Sequence, residues 1–292
     1  MARQPGAAGR ARFLMPASAI ATLPAVAIPV YKTALSAAER LSIERTVGVL
    51  GHHAVFLVGP ERLAGWMEVQ CAPFGGRLRW KAFDDRFFEG IKGYNRLMMS
   101  RVFYGAFAGH SHLLIAQTDS LVLSDQLEAW CARGFSYVGA PWFEGGSEPR
   151  EPLRLVGVGN GGFSLRRLDH FDRALATPRH IPNTVKSRSG SPAVLPRLVR
   201  WLKHRWWLAY NRPPLLPTSN EDVFWGLLVP AVCPFFRLPT PEQALDFAFE
   251  VAPRRMLELN GQRLPFGCHA WERCDRAFWA EQLPFVREAG LS

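Results

Sequence analysis

His112-Leu-Leu-Ile-Ala116, followed at once by Gln117-Thr-Asp119, is the stretch that decides the fold. Four consecutive apolar residues leave no polar face, so the segment reads as a strand buried on both sides, as inside a parallel sheet. The polar triplet at its end matters because open α/β sheets bind ligands outside the carboxyl ends of their strands. Toward the N-terminus, Tyr94 to Phe107 reads as one helix with Leu97, Met98, Val102 and Phe103 on one side. Further back, Val26-Ala-Ile-Pro-Val-Tyr31 and Ala54-Val-Phe-Leu-Val58 read as strands, the second stopped by Gly59-Pro60. Between them, Ser36 with Glu39 is a capping-box signature that predicts a helix to about Leu50. Strand, helix, strand with short connections opens a parallel α/β sheet. Downstream, Tyr137-Val-Gly-Ala140 reads as a strand, Gly159 to Leu165 leads into a helix to about Ala176, and Asn220-Glu-Asp-Val-Phe-Trp225 opens another helix.

At 292 residues, with 48% hydrophobic and 12% aromatic residues, the chain can fill a sizeable core, which excludes disorder over most of its length. The net charge of +10 fits an anionic small substrate, a membrane surface or nucleic acid. No zinc-finger spacing, helix-turn-helix signal or RNA-binding aromatic motif accompanies it, so a nucleic-acid partner is not expected. Five cysteines, odd in number and without a C-x-x-C, fit single buried thiols in a reducing compartment. The apolar runs fall short of the roughly 20 residues of a membrane span. Residues 1–24 read as a disordered leader and 25–292 as one domain, on a cytoplasmic protein. Residues 178–219 look like an insertion rich in Pro, Arg and Trp. Within it, 196–209 suits either a basic interfacial helix lying at the inner face of the membrane or a helix packed on the domain.

Four features carry chemistry. Asp119, just past a buried strand, suits a hard-cation ligand for Mg²⁺ or Mn²⁺, or alternatively a turn cap. Gly159-Asn160-Gly161-Gly162 permits close approach of backbone to a ligand, or simply a tight hairpin. Its spacing is neither a dinucleotide fingerprint nor a P-loop. Glu221 and Asp222 open a helix, where acids commonly compensate the helix dipole, but one of them could act as a general base. His269, in Phe266-Gly-Cys-His-Ala-Trp271, is a candidate metal ligand or a structural histidine.

Taken in order, Gln117-Thr-Asp119, Gly139-Ala-Pro-Trp142, Gly159-Asn-Gly-Gly-Phe-Ser-Leu-Arg166, Asn220-Glu-Asp-Val223 and Phe266-Gly-Cys-His-Ala-Trp271 resemble a mainly bacterial family of uncharacterised glycosyltransferases with a GT-A-like fold. The chain is similar, more distantly, to β-1,3-galactosyltransferase and Fringe-like enzymes. The resemblance spans roughly residues 25 to 275. It implies that Asp119 holds a metal as the last Asp of an Asp-x-Asp motif, with His269 completing the metal and diphosphate site. It implies Asp222 as base with Glu221 beside it, and Asn160, Gly161 and Gly162 along the donor sugar and acceptor. Pro29 and Tyr31 would lie near the nucleoside. Tyr94, Asn95 and Arg101 match a pattern ahead of the Asp-x-Asp strand, with Arg101 facing the diphosphate. Gln117 stands where the first Asp of the motif is usual, which leaves a weaker or metal-independent site open.

The expected protein is therefore a glycosyltransferase on a GT-A-like, mostly parallel α/β sheet flanked by helices. Residues 25–142 would bind a nucleotide-sugar donor with Mn²⁺ or Mg²⁺, and 143–292 a glycan, lipid-linked or other hydroxyl acceptor. One rival is a sugar nucleotidyltransferase, disfavoured because the loop Tyr31-Lys-Thr-Ala-Leu35 after the first strand has no glycine. The other is a non-catalytic carbohydrate- or membrane-binding protein on the same fold, which Gln117 keeps open.

Overall fold

Ala25–Pro29 form the first strand, β1, and every one of its residues is buried. Its side chains alternate between two layers, as the period of two in a strand requires. Val26 and Ile28 face one apolar cluster, while Ala25 and Ala27 face the other. The computed structural model describes residues 23–176 and 220–291. After β1 come α1 (Ala37–Leu50), β2 (Ala54–Pro60), α2 (Ala64–Cys71), β3 (Leu78–Phe83), α3 (Gly90–Met98), α4 (Arg101–Gly105) and β4 (His112–Ala116). The chain continues through β5 (Leu121–Val122), α5 (Leu127–Ala132), β6 (Tyr137–Val138), β7 (Pro141–Phe143), β8 (Leu155–Val158), β9 (Phe163–Arg167) and α6 (Leu168–Ala176). The helix α7 starts as Glu221–Val223, widens into a π turn over Phe224–Leu228 and resumes over Val229–Val232. Pro230 lacks an N–H and its ring crowds the preceding turn, which accounts for the widening. The rest is α8 (Pro241–Ala244), β10 (Ala248–Phe249), α9 (Pro253–Leu259), β11 (Gly267–Cys268), α10 (Arg276–Gln282) and α11 (Pro284–Glu288).

Among the described residues, six strands form the main sheet in the order β3-β2-β1-β4-β9-β6. The first four are mutually parallel, and β9 runs antiparallel to both β4 and β6. This is the mostly parallel α/β sheet expected from the sequence. The chain moves outward from β1 to β2 and β3, then returns to the other side of β1 as β4. That reversal opens a crevice at the carboxyl ends of β1 and β4, the topological switch point where such sheets bind ligands. A second, three-stranded sheet, β10-β11-β5, stands beside it.

Ser36 and Glu39 behave as their spacing predicts. The Ser36 hydroxyl accepts from the Glu39 N–H at 3.1 Å, and the Glu39 carboxylate accepts from the Ser36 N–H at 2.8 Å. Three expectations need correction. Tyr94–Phe107 is not one helix: it breaks at Met99–Ser100, and Val102 is 62% exposed. The Ser100 hydroxyl accepts from the Phe103 N–H at 3.2 Å, so a local cap outcompetes continuation of the helix. The second strand runs through Gly59-Pro60, because both still pair with Ala82 and Phe83 of β3. The strand at Tyr137 ends at Val138, and Pro141–Phe143 pairs with β8 instead. The leader beyond Leu23 and Pro24, and the insertion at 178–219 with its basic stretch 196–209, lie outside the described residues. Among the described residues, no helix is long and apolar enough to cross a membrane.

Ser36→Ala removes one half of the capping box and should lower the unfolding free energy by about 1 kcal/mol. Urea titration should show this as a lower midpoint at unchanged slope.

Candidate active site

The small sheet brings together three side chains that are far apart in sequence. β10 and β11 are parallel, with Phe249 opposite Cys268, while β5 is antiparallel to β11, with Leu121 opposite Cys268. The residues just after β10 and β11 therefore meet the residues just before β5. These are Glu250, His269 and Asp119. His269 Nε2 lies 3.2 Å from Asp119 Oδ1, and its Nδ1 lies 2.9 Å from Glu250 Oε1. Burial disfavours charge on this ring, but hydrogen bonds to Asp119 and Glu250 outweigh it and raise the His269 pKa to about 10. The same contact holds the Asp119 carboxyl below its usual range against the opposing effect of burial.

The main sheet supplies the floor. Because β9 is antiparallel to β4, with Phe163 opposite Ala116, the loop entering β9 adjoins the turn leaving β4. The Gln117 N–H donates to the Gly162 carbonyl at 2.8 Å. Two glycines there cannot carry a side chain. A Cβ on Gly161 would lie 1.6 Å from Glu221 Oε1, and one on Gly162 would lie 2.0 Å from His269 Nε2. Asn160 sits at φ 71, a conformation Asn tolerates, and its Oδ1 accepts from the Gly162 N–H at 3.0 Å. Beneath the loop, fully buried Arg166 donates to Glu221 Oε1 at 3.0 Å, to Tyr104 Oη at 2.9 Å and to Ser164 Oγ at 3.0 Å.

These elements enclose a cleft of about 750 Å³ at the switch point between β1 and β4. Pro29, Tyr31, Asn95, Gln117, Asp119, Asn160, Gly161, Gly162, Glu221, Asp222 and His269 all line it, so the structure brings together nearly the whole set of site residues expected from the sequence. Arg101 is the exception: it is not among the lining residues and pairs with Asp172 at 2.7 Å on the exposed surface. Glu221 is not a free base, since it is buried and one carboxylate oxygen is committed to Arg166. Asp222 is only partly buried, and its carboxyl is pushed up by burial, against the opposing Val223 N–H it accepts from at 2.8 Å. Asn95 accepts from the Glu221 N–H at 3.3 Å, which caps α7 from outside its own segment. Gln117 acts as a brace: its side chain donates to Tyr94 Oη at 3.0 Å and its Oε1 lies 3.3 Å from His269 Nε2.

Two buried polar atoms on the cleft wall make no hydrogen bond within the described protein, Asn160 Nδ2 and Glu221 Oε2. One is a donor and the other an acceptor, and buried groups of this kind are normally satisfied. Sequence reasoning missed Glu250 and Glu39, which also line the cleft. Glu250 had a faint signal, since Phe247-Ala-Phe-Glu250 and Phe266-Gly-Cys-His269 share an apolar triplet ending in a polar residue. The His269 pair fits a divalent cation. A carboxylate and an imidazole nitrogen converge on one side, and a second carboxylate orients the ring from behind, as ligating histidines require.

A family described as protein of unknown function (DUF5672) matches residues 77–269, a span that ends on His269. Among solved structures, the galactosyltransferase LgtC in complex with donor and acceptor sugar analogs is similar at a TM-score of 0.51 and 12% identity, over 91% of this chain and 95% of that one. Mouse xyloside xylosyltransferase 1, in its apo form, is similar at a TM-score of 0.45 and 10% identity, over 84% and 96%. No curated protein matches the sequence. The likeness to LgtC establishes the fold as GT-A-like.

Two outcomes follow from this geometry. Gly162→Ala must push the His269 ring aside, so it should lower stability by about 1–3 kcal/mol, read by urea titration. The second concerns pH in metal-free protein. The folded His269 ring titrates at about 10, above the usual value of 6.5. Its pairing therefore stabilises fully below about pH 6.5 and is lost as pH rises toward 10. In EDTA, the stability gap between wild type and His269→Gln should narrow by about 1.4 kcal/mol or more across that window, measured by urea titration.

Proposed function

The chain belongs to the family described as protein of unknown function (DUF5672), and we propose that it is a glycosyltransferase, moving a sugar from a nucleoside diphosphate to a hydroxyl acceptor. The observation that carries this reading is the convergence of Asp119, His269, Glu250 and Asp222 on one cleft at the switch point of a GT-A-like sheet. The cleft joins both halves of the chain. Residues 25–142 contribute the side that suits a nucleotide, with Pro29, Tyr31, Phe88 and Ile91 offering apolar surface to a base. Residues 143–292 contribute Asn160 to Gly162 and Asp222, on the side that suits the two sugars.

Asp119 and His269 Nε2 would hold Mn²⁺ or Mg²⁺, which would offset charge on the departing diphosphate. Glu250 would keep the proton on Nδ1, while a bound metal would displace the proton from Nε2 and take its lone pair. Asn160, Gly161 and Gly162 would line the donor sugar. Asp222 takes the proton of the attacking acceptor hydroxyl. The acceptor oxygen bonds to the anomeric carbon as the bond from that carbon to the diphosphate breaks, and the diphosphate leaves with the electron pair. A carboxyl held up by burial is a stronger base than a fully solvated one, which suits this role.

Incubation with a panel of nucleotide sugars and Mn²⁺, read as nucleoside diphosphate release, tests the proposal. One donor should turn over, and Asp222→Asn should lower kcat by about 10²- to 10⁴-fold while leaving nucleotide affinity unchanged. Asp119→Ala should abolish the metal dependence of nucleotide binding. Nucleotide binding without turnover of any donor, in folded wild-type protein given hydroxyl acceptors, would refute the reaction.

A further inference from the structure

At the end of the strands away from the cleft, the corner between α1 and β2 carries Gly51-His52-His53, and the loop between β5 and α5 carries Asp125. We propose that His52, His53 and Asp125 form a second metal site, for a transition cation of the zinc class, distinct from the cleft. It is independent of the glycosyltransferase reading. His53 immediately precedes β2, whereas the cleft lies at the carboxyl ends of β1 and β4. Across strands of this length the two sites are roughly 20 Å apart.

The geometry suits coordination. His52 Nε2 lies 3.3 Å from Asp125 Oδ2, and one ligand atom from each of the three residues falls within 4.8 Å of the others. Tetrahedral zinc, with ligands at about 2.0–2.1 Å, holds pairs of ligand atoms roughly 3.3 Å apart. The two imidazole rings are tilted by 45° with centroids 4.0 Å apart.

The second observation is His53 itself. Its side chain is 6% exposed, and neither ring nitrogen makes a hydrogen bond within the described protein. A buried imidazole without a partner is costly, and a cation is a partner that this cluster can supply. Two imidazoles and one carboxylate with an open side match a three-ligand zinc site that keeps one position for water. Such a cation would tie the α1–β2 corner to the loop before α5.

His52 and Asp125 are half-exposed, so replacing them should leave the fold intact, with circular dichroism as the check. Zinc binding is measured by calorimetry on the full chain in the Asp119→Ala background, which removes the ligand pair of the cleft. That protein should still bind one Zn²⁺ with micromolar affinity, and Co²⁺ in its place should give the visible absorption of a tetrahedral site. Adding His52→Ala or Asp125→Asn should weaken binding by about tenfold or more. If the Asp119→Ala protein binds no Zn²⁺, or binds it equally well with His52→Ala and Asp125→Asn, the site does not exist.

Discussion

The cleft depends on one buried ion pair, Arg166 to Glu221. Arg166 stands on β9 with no exposure, and Glu221 opens α7 with 4%. Between them they tie the main sheet, the Tyr104 helix, the carbonyl of Gly161 and the start of α7 into one unit. Burial disfavours both charges; the contact at 3.0 Å offsets this for Arg166, whereas burial still leaves the Glu221 carboxyl above its usual range. Breaking such a pair from one side typically costs about 3–5 kcal/mol, because the surviving charge is left unpaired. The pair is therefore a constraint more than a source of stability. It fixes where Asp222 stands, since that residue follows Glu221 directly, and it fixes the loop that carries Asn160.

A second constraint acts from the other wall. The small sheet sets Asp119, Glu250 and His269 by register alone, and Gly162 leaves the volume that the imidazole needs. The cleft is thus built where two sheets meet, with the bases of its polar side chains held by strand ends. This explains how a short Gly-rich loop can serve the site without any phosphate-binding fingerprint. The loop is bare so that Glu221 and His269 can approach it from below and beside it.

Much of the frame was legible in the sequence. The apolar run before Gln117 announced a buried parallel strand, and Ser36 with Glu39 announced α1 because capping is a local interaction. Asp119, His269 and Asp222 were legible through motif order, although only the strand register brings the first two into contact. What was not legible depends on long-range packing. Arg166 carries no sign in the sequence that its guanidinium is buried, and the faint signal before Glu250 gains meaning only from the pairing of β10 with β11. Arg101, which the resemblance placed toward a diphosphate, is not among the residues lining the cleft and pairs with Asp172.

The central claim is that Asp119 and His269 anchor a metal against a nucleoside diphosphate in this cleft. Diffraction from crystals saturated with Mn²⁺ and a nucleoside diphosphate, collected for the anomalous signal of manganese, tests it most directly. The account predicts a peak within bonding distance of Asp119 Oδ1 and His269 Nε2, with diphosphate density beside it and the base toward Pro29 and Tyr31. Nucleotide bound elsewhere, or a saturated crystal whose cleft holds neither ligand, would contradict it.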